Sequence, residues 1–157
     1  MRTIRRRAHL YGGLCGLVVF GIAGLGCAGA PSRTALPPAA AVPTGPQPPH
    51  ATLYFRFDRR DLDARERTNA DTDAAWAVPR DRTVLLVEGH ADAVGGDEYN
   101  LRLGDARARS VAAALIARGV PAERIAGIVS HGERQPAVRG AGAAARARNR
   151  RVELTAW

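Results

Sequence analysis

The sequence predicts an α/β sandwich with the element order β-α-β-α-β-β, and three observations carry that prediction. Val84 to Gly89 is an apolar run of strand length with branched residues, the pattern of a strand buried on both faces. It leads through a polar loop into a helix-patterned stretch. Leu53, Phe55 and Phe57 alternate with Thr52, Tyr54 and Arg56, the period of a strand with one buried face. Ile125 to Gly132 and Val152 to Ala156 are two further strand-length segments that close the chain.

Ahead of these elements lies a leader. Met1 to His9 carries Arg2, Arg5, Arg6 and Arg7, and Leu10 to Leu25 is apolar apart from glycines. Basic residues, an apolar run and then small residues make a secretory signal. The run is glycine-rich and short for a stable membrane span, which takes about 20 residues. Gly24-Leu25-Gly26-Cys27-Ala28 resembles a lipoprotein cleavage box, in which the cysteine becomes the lipid-bearing first residue. Residues 1–26 are therefore read as signal peptide and Cys27 as the acylated, palmitate-carrying position. The box departs from the usual pattern, because the Leu expected three residues before the cysteine is Gly24. The plainer alternative is an uncleaved anchor or an ordinary signal peptide.

Residues 27–50 are rich in Pro and Ala, with Pro31, Pro37, Pro38, Pro43, Pro46, Pro48 and Pro49. Such a segment reads as an extended tether, and at about 3.1 Å per residue it would reach roughly 70 Å. The folded domain is expected over 51–157. After its first strand, helix one is predicted from Asp63 to Val78, stopped by Pro79. Its apolar face is thin (Ala70, Ala74, Ala77, Val78, with Trp76 nearby), and Asn69, Thr72 and Asp73 make it the weakest element. Strand two and the polar loop His90 to Asn100 precede helix two, in which Ala108, Val111, Ala112 and Leu115 fall at i, i+3, i+4, i+7. Arg118 in the last turn, Gly119 and Pro121 end it. A short helical piece is predicted around Ala143 to Arg148, before the last strand.

Charge is uneven along the chain. Basic residues number 23 against 15 acidic, all of the basic ones Arg. Five Arg and no acid occur through His50, leaving 18 Arg and 15 acids from Ala51 onward, a surplus of 3. A basic patch for nucleic acid would need Arg clustered with interleaved aromatics, and Arg is scattered there, which argues against nucleic-acid binding. Both cysteines, Cys15 and Cys27, precede the domain, so neither a disulfide nor a Cys-ligated metal belongs to it.

The loop between strand two and helix two sits where anions and zwitterions are commonly held, at a strand's carboxyl end and a helix's amino end. Asp92 lies in the loop and Arg107 in what reads as the first turns of the helix. An Asp accepts from an ammonium, and the planar Arg fork suits a carboxylate. A ligand with both groups on one carbon, an amino-acid head, could be gripped at both ends. The plainer alternative is that Asp92 and Arg107 pair with each other and merely fix the loop.

Glu88-Gly89-His90-Ala91-Asp92-Ala93-Val94-Gly95, Glu98-Tyr99-Asn100 and Leu103-Gly104-Asp105-Ala106-Arg107-Ala108 together resemble the signature of the OmpA-like peptidoglycan-binding domain family. The Leu-Gly-x-x-Arg-Ala form is similar to its peptidoglycan-associated lipoprotein branch. Tyr54 to Asp61 resembles the family's first strand, Ser130 to Val138 its third strand and loop, and Asn149 to Glu153 its closing strand. The blocks span residues 51–157 in the family's order and spacing.

The resemblance implies an OmpA C-terminal-like fold, a mixed sheet of about four strands with two main helices. It implies non-covalent binding of the diaminopimelate of peptidoglycan stem peptides, with Asp92 opposite the ammonium and Arg107 bidentate to the carboxylate. Asp58, Phe57 and Leu103 match positions lining the same pocket, and Asn149 and Arg150 are candidates for a second carboxylate or glycan contacts. Replacing Asp92 or Arg107 by Ala is expected to abolish binding and leave the fold intact. The family's usual Thr before the ligand Asp is Ala91 here, a missing hydroxyl worth about 0.5–1.5 kcal/mol. The implied protein is an outer-membrane lipoprotein on the periplasmic face, anchored through Cys27, with a TolB-like periplasmic partner of a Tol–Pal system. Rival readings are an accessory or stator-type anchor of another envelope machine and a muralytic enzyme.

Enzyme chemistry finds little support. His90 has no second ligand at metal spacing and reads as a structural loop residue. His131 falls on a strand expected to be partly exposed. No Ser or Cys has a base partner in sequence. Asp92 and Glu98 could be imagined as a glycosidase pair, but the adjacent Arg and Gly-rich loop argue against a hydrolase pocket. No enzyme, no cofactor and no metal are expected.

Overall fold

The computed structural model describes residues 45–157. The signal segment, the lipidation assignment at Cys27 and most of the tether lie outside the described residues. Four strands, β1 (Thr52–Tyr54), β2 (Leu85–His90), β3 (Ile125–Gly132) and β4 (Arg151–Ala156), form one sheet in the order β1-β4-β2-β3. β4 runs antiparallel to both neighbours, and β2 pairs parallel with β3. β1, β2 and β3 therefore all point the same way. Their carboxyl ends, together with the amino end of β4, meet at one edge of the sheet.

Helices α1 (Ala64–Ala77) and α2 (Asp97–Ala117) pack on one face, and the short α3 (Ala143–Asn149) precedes β4. The core between sheet and helices holds Leu53, Leu85, Val87, Val152 and Leu154 against Ala70, Ala74, Ala77, Val111 and Leu115. β2 was expected to be covered on both faces. Leu85, Val87 and Gly89 are buried, but the alternating Leu86 and Glu88 are only half-buried, since both long helices cover the same side.

β1 is shorter than its alternation suggested. Leu53 and Phe55 are buried, but Phe57 has left the strand and is 60% exposed. The turn that follows holds Asp58 at φ 54, in the left-handed region that Asp tolerates better than most residues. α1 begins where Asp63 caps it, accepting from the Glu66 N–H at 2.9 Å. It buries only alanines among its apolar residues, and Val78 is exposed.

Its carboxyl end carries no basic residue of its own. Arg124 supplies the cap from beyond α2, donating to Ala77 O (2.7 Å), Thr83 O (2.8 Å) and Val78 O (3.4 Å). α2 ends at Ala117 with Arg118 as its cap, followed by Gly119 at φ 96. Packing onto the domain also begins ahead of Ala51. The Gln47 amide bonds both N–H and C=O of Ala156 (2.9 and 3.1 Å), and the His50 N–H donates to buried Asp73 (2.8 Å).

Candidate functional site

α2 crosses β2 at Gly89 and Gly104 with no side chain between the two backbones. A Cβ on Gly89 would sit 2.0 Å from the Gly104 carbonyl oxygen, and one on Gly104 would sit 2.3 Å from Ser130 Oγ. This close approach brings the next turn of the helix down onto the carboxyl end of β2. There Arg107 is fully buried, and its guanidinium donates to three carbonyls: Arg59 O through Nε (2.8 Å), His90 O through Nη1 (2.9 Å) and Arg56 O through Nη2 (3.4 Å). Its carbon lies 5.4 Å from the Phe55 ring centroid. Burial lowers its pKa to about 10, the nearby Asp92 opposing that shift, so the group stays charged at neutral pH.

Arg107 is thus the eleventh residue of a helix that starts at Asp97, not a residue of its first turns. The helix-terminal amides expected beside it are about three turns away. The early start has a second consequence. Tyr99, Leu103 and Arg107 fall at i, i+4 and i+8 on one face, and all three line the same cleft.

That cleft, about 220 Å³, is lined by Phe57, Asp58, Asp92, Leu103, Arg107 and Arg150, together with Val94, Gly95 and Tyr99. Six of the seven sequence-predicted residues thus come together. Asn149 does not line it. Its amide clamps the loop before α3, accepting from the Val138 N–H (3.0 Å) and donating to the Val138 C=O (2.9 Å). Sequence reasoning missed Tyr99, Val94 and Gly95 as lining residues. The i, i+4, i+8 spacing would have found Tyr99 had the helix been started at Asp97.

Asp92 and Arg107 do not form the ion pair of the plainer reading. Asp92 is 4% exposed; its Oδ2 accepts from Arg150 Nη1 at 2.9 Å and its Oδ1 from the Val94 N–H at 3.2 Å. Arg150 in turn donates through Nε to Phe55 O (3.0 Å), tying the strand ends together. At the rim, Tyr99 donates to the Asp58 carboxylate, which pushes the phenol pKa up. Ala91 is buried and donates its N–H to Gly132 O (2.8 Å). Glu98, the other half of the imagined carboxylate pair, is exposed and pairs with Arg102.

His90 is 2% exposed and stacks on His131 with ring centroids 5.0 Å apart, and neither of its ring nitrogens has a partner. Burial, followed by the neighbouring Arg151, lowers its pKa from 6.5 to about 4. Among the described residues no three His, Cys, Asp or Glu side chains converge as a metal-ligand set.

The arrangement therefore offers a carboxylate and a guanidinium on the walls of one small cleft, both held by backbone contacts, with Phe57 and Leu103 as apolar sides. Comparison with known proteins identifies the family and the fold that carry this cleft. Residues 54–150 match the model of the OmpA family. Over 103 residues the chain is 41% identical to the peptidoglycan-associated lipoprotein of Haemophilus influenzae, covering 66% of this chain and 67% of that one. The crystal structure of the peptidoglycan-associated lipoprotein from Burkholderia pseudomallei superposes with a TM-score of 0.64 at 30% identity, over 68% of this chain and 90% of that one. The C-terminal domain of Helicobacter pylori MotB shares the fold, with a TM-score of 0.62 at 20% identity over 68% of this chain and 83% of that one.

Proposed function

The chain belongs to the OmpA family, and from that premise we propose that it ties the cell envelope to peptidoglycan by non-covalent recognition of a diaminopimelate head group. The observation that carries this reading is the placement of Asp92 and Arg107, both nearly or fully buried, on the walls of one cleft. A carboxylate has about four acceptor sites, and Asp92 uses two of them on Arg150 and Val94, which leaves room for an ammonium. Arg107 has five N–H donors and gives three to carbonyls, leaving two for a carboxylate. Because those carbonyls fix the guanidinium plane in advance, little side-chain entropy is lost on binding. Asp58 at the rim adds a second acceptor for the ammonium, and Phe57 and Leu103 flank the ligand's methylene chain. No step in this function requires bond making or breaking, and the protein is proposed as a binding module rather than an enzyme.

In the cell we place it as an outer-membrane lipoprotein facing the periplasm. It would be acylated at Cys27, reach the wall through its Pro/Ala-rich tether, and work with a TolB-like partner in a Tol–Pal system. The two peptidoglycan-associated lipoproteins named above support the peptidoglycan-associated, envelope part of that reading. The test is retention of the full chain on purified diaminopimelate-type sacculi. Wild type should be retained and be released by free diaminopimelate, and Asp92→Asn should not be retained. Equal retention of the two would remove the site assignment, and release of soluble wall fragments would point to an enzyme instead.

A further inference from the structure

Just ahead of β1 the sequence reads Pro46-Gln47-Pro48-Pro49, in which only Gln47 has a backbone N–H. The main chain there cannot carry the β1–β4 ladder any further. Leu154 donates its N–H to Ala51 O (2.7 Å), so Ala156, two residues on, turns its N–H and C=O to the same side, where no strand continues. The side chain of Gln47 takes the place of the missing peptide group. Its Oε1 accepts from the Ala156 N–H (2.9 Å) and its Nε2 donates to the Ala156 C=O (3.1 Å). Nε2 also reaches Gly45 O (3.1 Å), Pro48 is buried, and Asp73 holds the His50 N–H (2.8 Å). Residues 45–50 thus form a docked strap, and its prolines have little conformational freedom to lose in docking. The strap sits at the carboxyl end of β4, whereas Arg150, on the cleft wall, immediately precedes the amino end. The six residues of β4, at about 3.4 Å each, put roughly 20 Å of strand between the two.

We propose that the domain is a tension-bearing joint whose strands are pulled lengthwise, with Gln47 as the point where tension enters the fold. The inference rests on the tethering reading, in which the chain is held on its amino-terminal side and at the cleft. Tension between those points runs along β1, β4 and β2. The bonds between antiparallel strands are perpendicular to the strands, so they lie across the force and share it. The strand that is pulled also fixes the grip. Phe55 donates its N–H to Arg150 O (2.8 Å) and accepts from Arg150 Nε (3.0 Å), and the carbonyls of Arg56 and Arg59 hold Arg107. A pull at Trp157 has the opposite geometry. Trp157 follows Ala156 at the strap's own end of the sheet, so force applied there parts β1 from β4 one bond pair at a time.

The experiment pulls single molecules of the full chain in optical tweezers, with Cys15→Ser leaving Cys27 as one handle. The second handle is either Val94→Cys at the cleft rim or a cysteine appended after Trp157. Unfolding from Val94 should need roughly twice the force needed from Trp157 or more, because the strand bonds break together rather than in turn. With the Val94 handle, the strap of the otherwise unchanged chain should stay docked until that break. Adding Gln47→Ala should release the strap first, as a separate lengthening of about 20 Å for residues 45–50 at full extension, and leave the force of the main break unchanged. Equal forces from the two handles overturn the joint. A separate early lengthening with Gln47 in place, or none with Gln47→Ala, overturns Gln47 as the point where tension enters. The measurement contains no ligand, so its failure is distinct from a failure of sacculus retention, which would remove the binding reading instead.

Discussion

A guanidinium with no exposed surface has to find its partners inside the protein, and Arg107 finds three carbonyls on two segments far apart in sequence. It therefore locks the turn after β1 to the end of β2 as well as lining the cleft. Against the sequence expectation that Arg107→Ala would leave the fold intact, this geometry predicts a destabilised fold. Orphaned buried carbonyls cost about 1–3 kcal/mol each, so Arg107→Ala should lower unfolding free energy by about 3 kcal/mol or more in urea titrations. Asp92→Asn, which keeps the size and the bond to Val94, is the cleaner binding variant. Arg107→Lys should fall between, because an ammonium cannot span the three acceptors. His90 gives a second prediction. Its pKa is lowered in the fold, from 6.5 to about 4, so the unfolded chain takes up the proton first as pH falls. The contribution of the neutral imidazole to stability is then undiminished above pH 6.5, is lost progressively below it, and is fully lost below about pH 4. The gap corresponds to about 3 kcal/mol. Urea midpoints measured from pH 7 to 4 should fall less steeply in His90→Phe than in wild type, and parallel slopes would refute this role. Neither burial nor orphaned nitrogens could be seen in sequence, where His90 looked like an ordinary loop residue.

The helix α2 is the element that assembles the site, and it does so because two glycines let it lie directly on the sheet. Gly89→Ala would place a methyl 2.0 Å from the Gly104 carbonyl oxygen, a backbone atom that cannot move without the helix. The variant should unfold at a clearly lower urea concentration and also lose sacculus retention, because Arg107 rides on the displaced turn. A variant as stable and as well retained as wild type would show that the crossing is looser than described. Elements of this kind were legible where pattern is local. The bounds of β3 and the end of α2 follow from periodicity and from Gly119, and the expected start of α1 at Asp63 falls on the residue that caps it. The start of α2 was not, because Gly96 offers no side-chain cap and Asp97-Glu98-Tyr99-Asn100 reads as polar loop. The capping of α1 by Arg124, 47 residues past Ala77, is a tertiary fact with no local signal.

At the scale of the whole molecule, topology does what no single motif could. Because β4 is antiparallel to both neighbours, the ends of β1 and β2 and the start of β4 gather at one edge, bringing Asp58, Asp92 and Arg150 within reach of Arg107. The opposed charges of Asp92 and Arg107 were legible in sequence, whereas Arg150 was expected there only as a contact for a second carboxylate or glycan. What was not legible is that Arg150, rather than Arg107, neutralises Asp92 in the free protein. That pair means a ligand's ammonium must share Asp92 with an existing cation, so its own carboxylate has to be held at the same time. The most direct measurement is a calorimetric titration of free diaminopimelate into the full chain at neutral pH, repeated with Asp92→Asn. The account predicts one bound ligand for wild type and at least a tenfold loss in the variant, the effect of removing a charge-assisted bond. Equal affinity in the two proteins would contradict it.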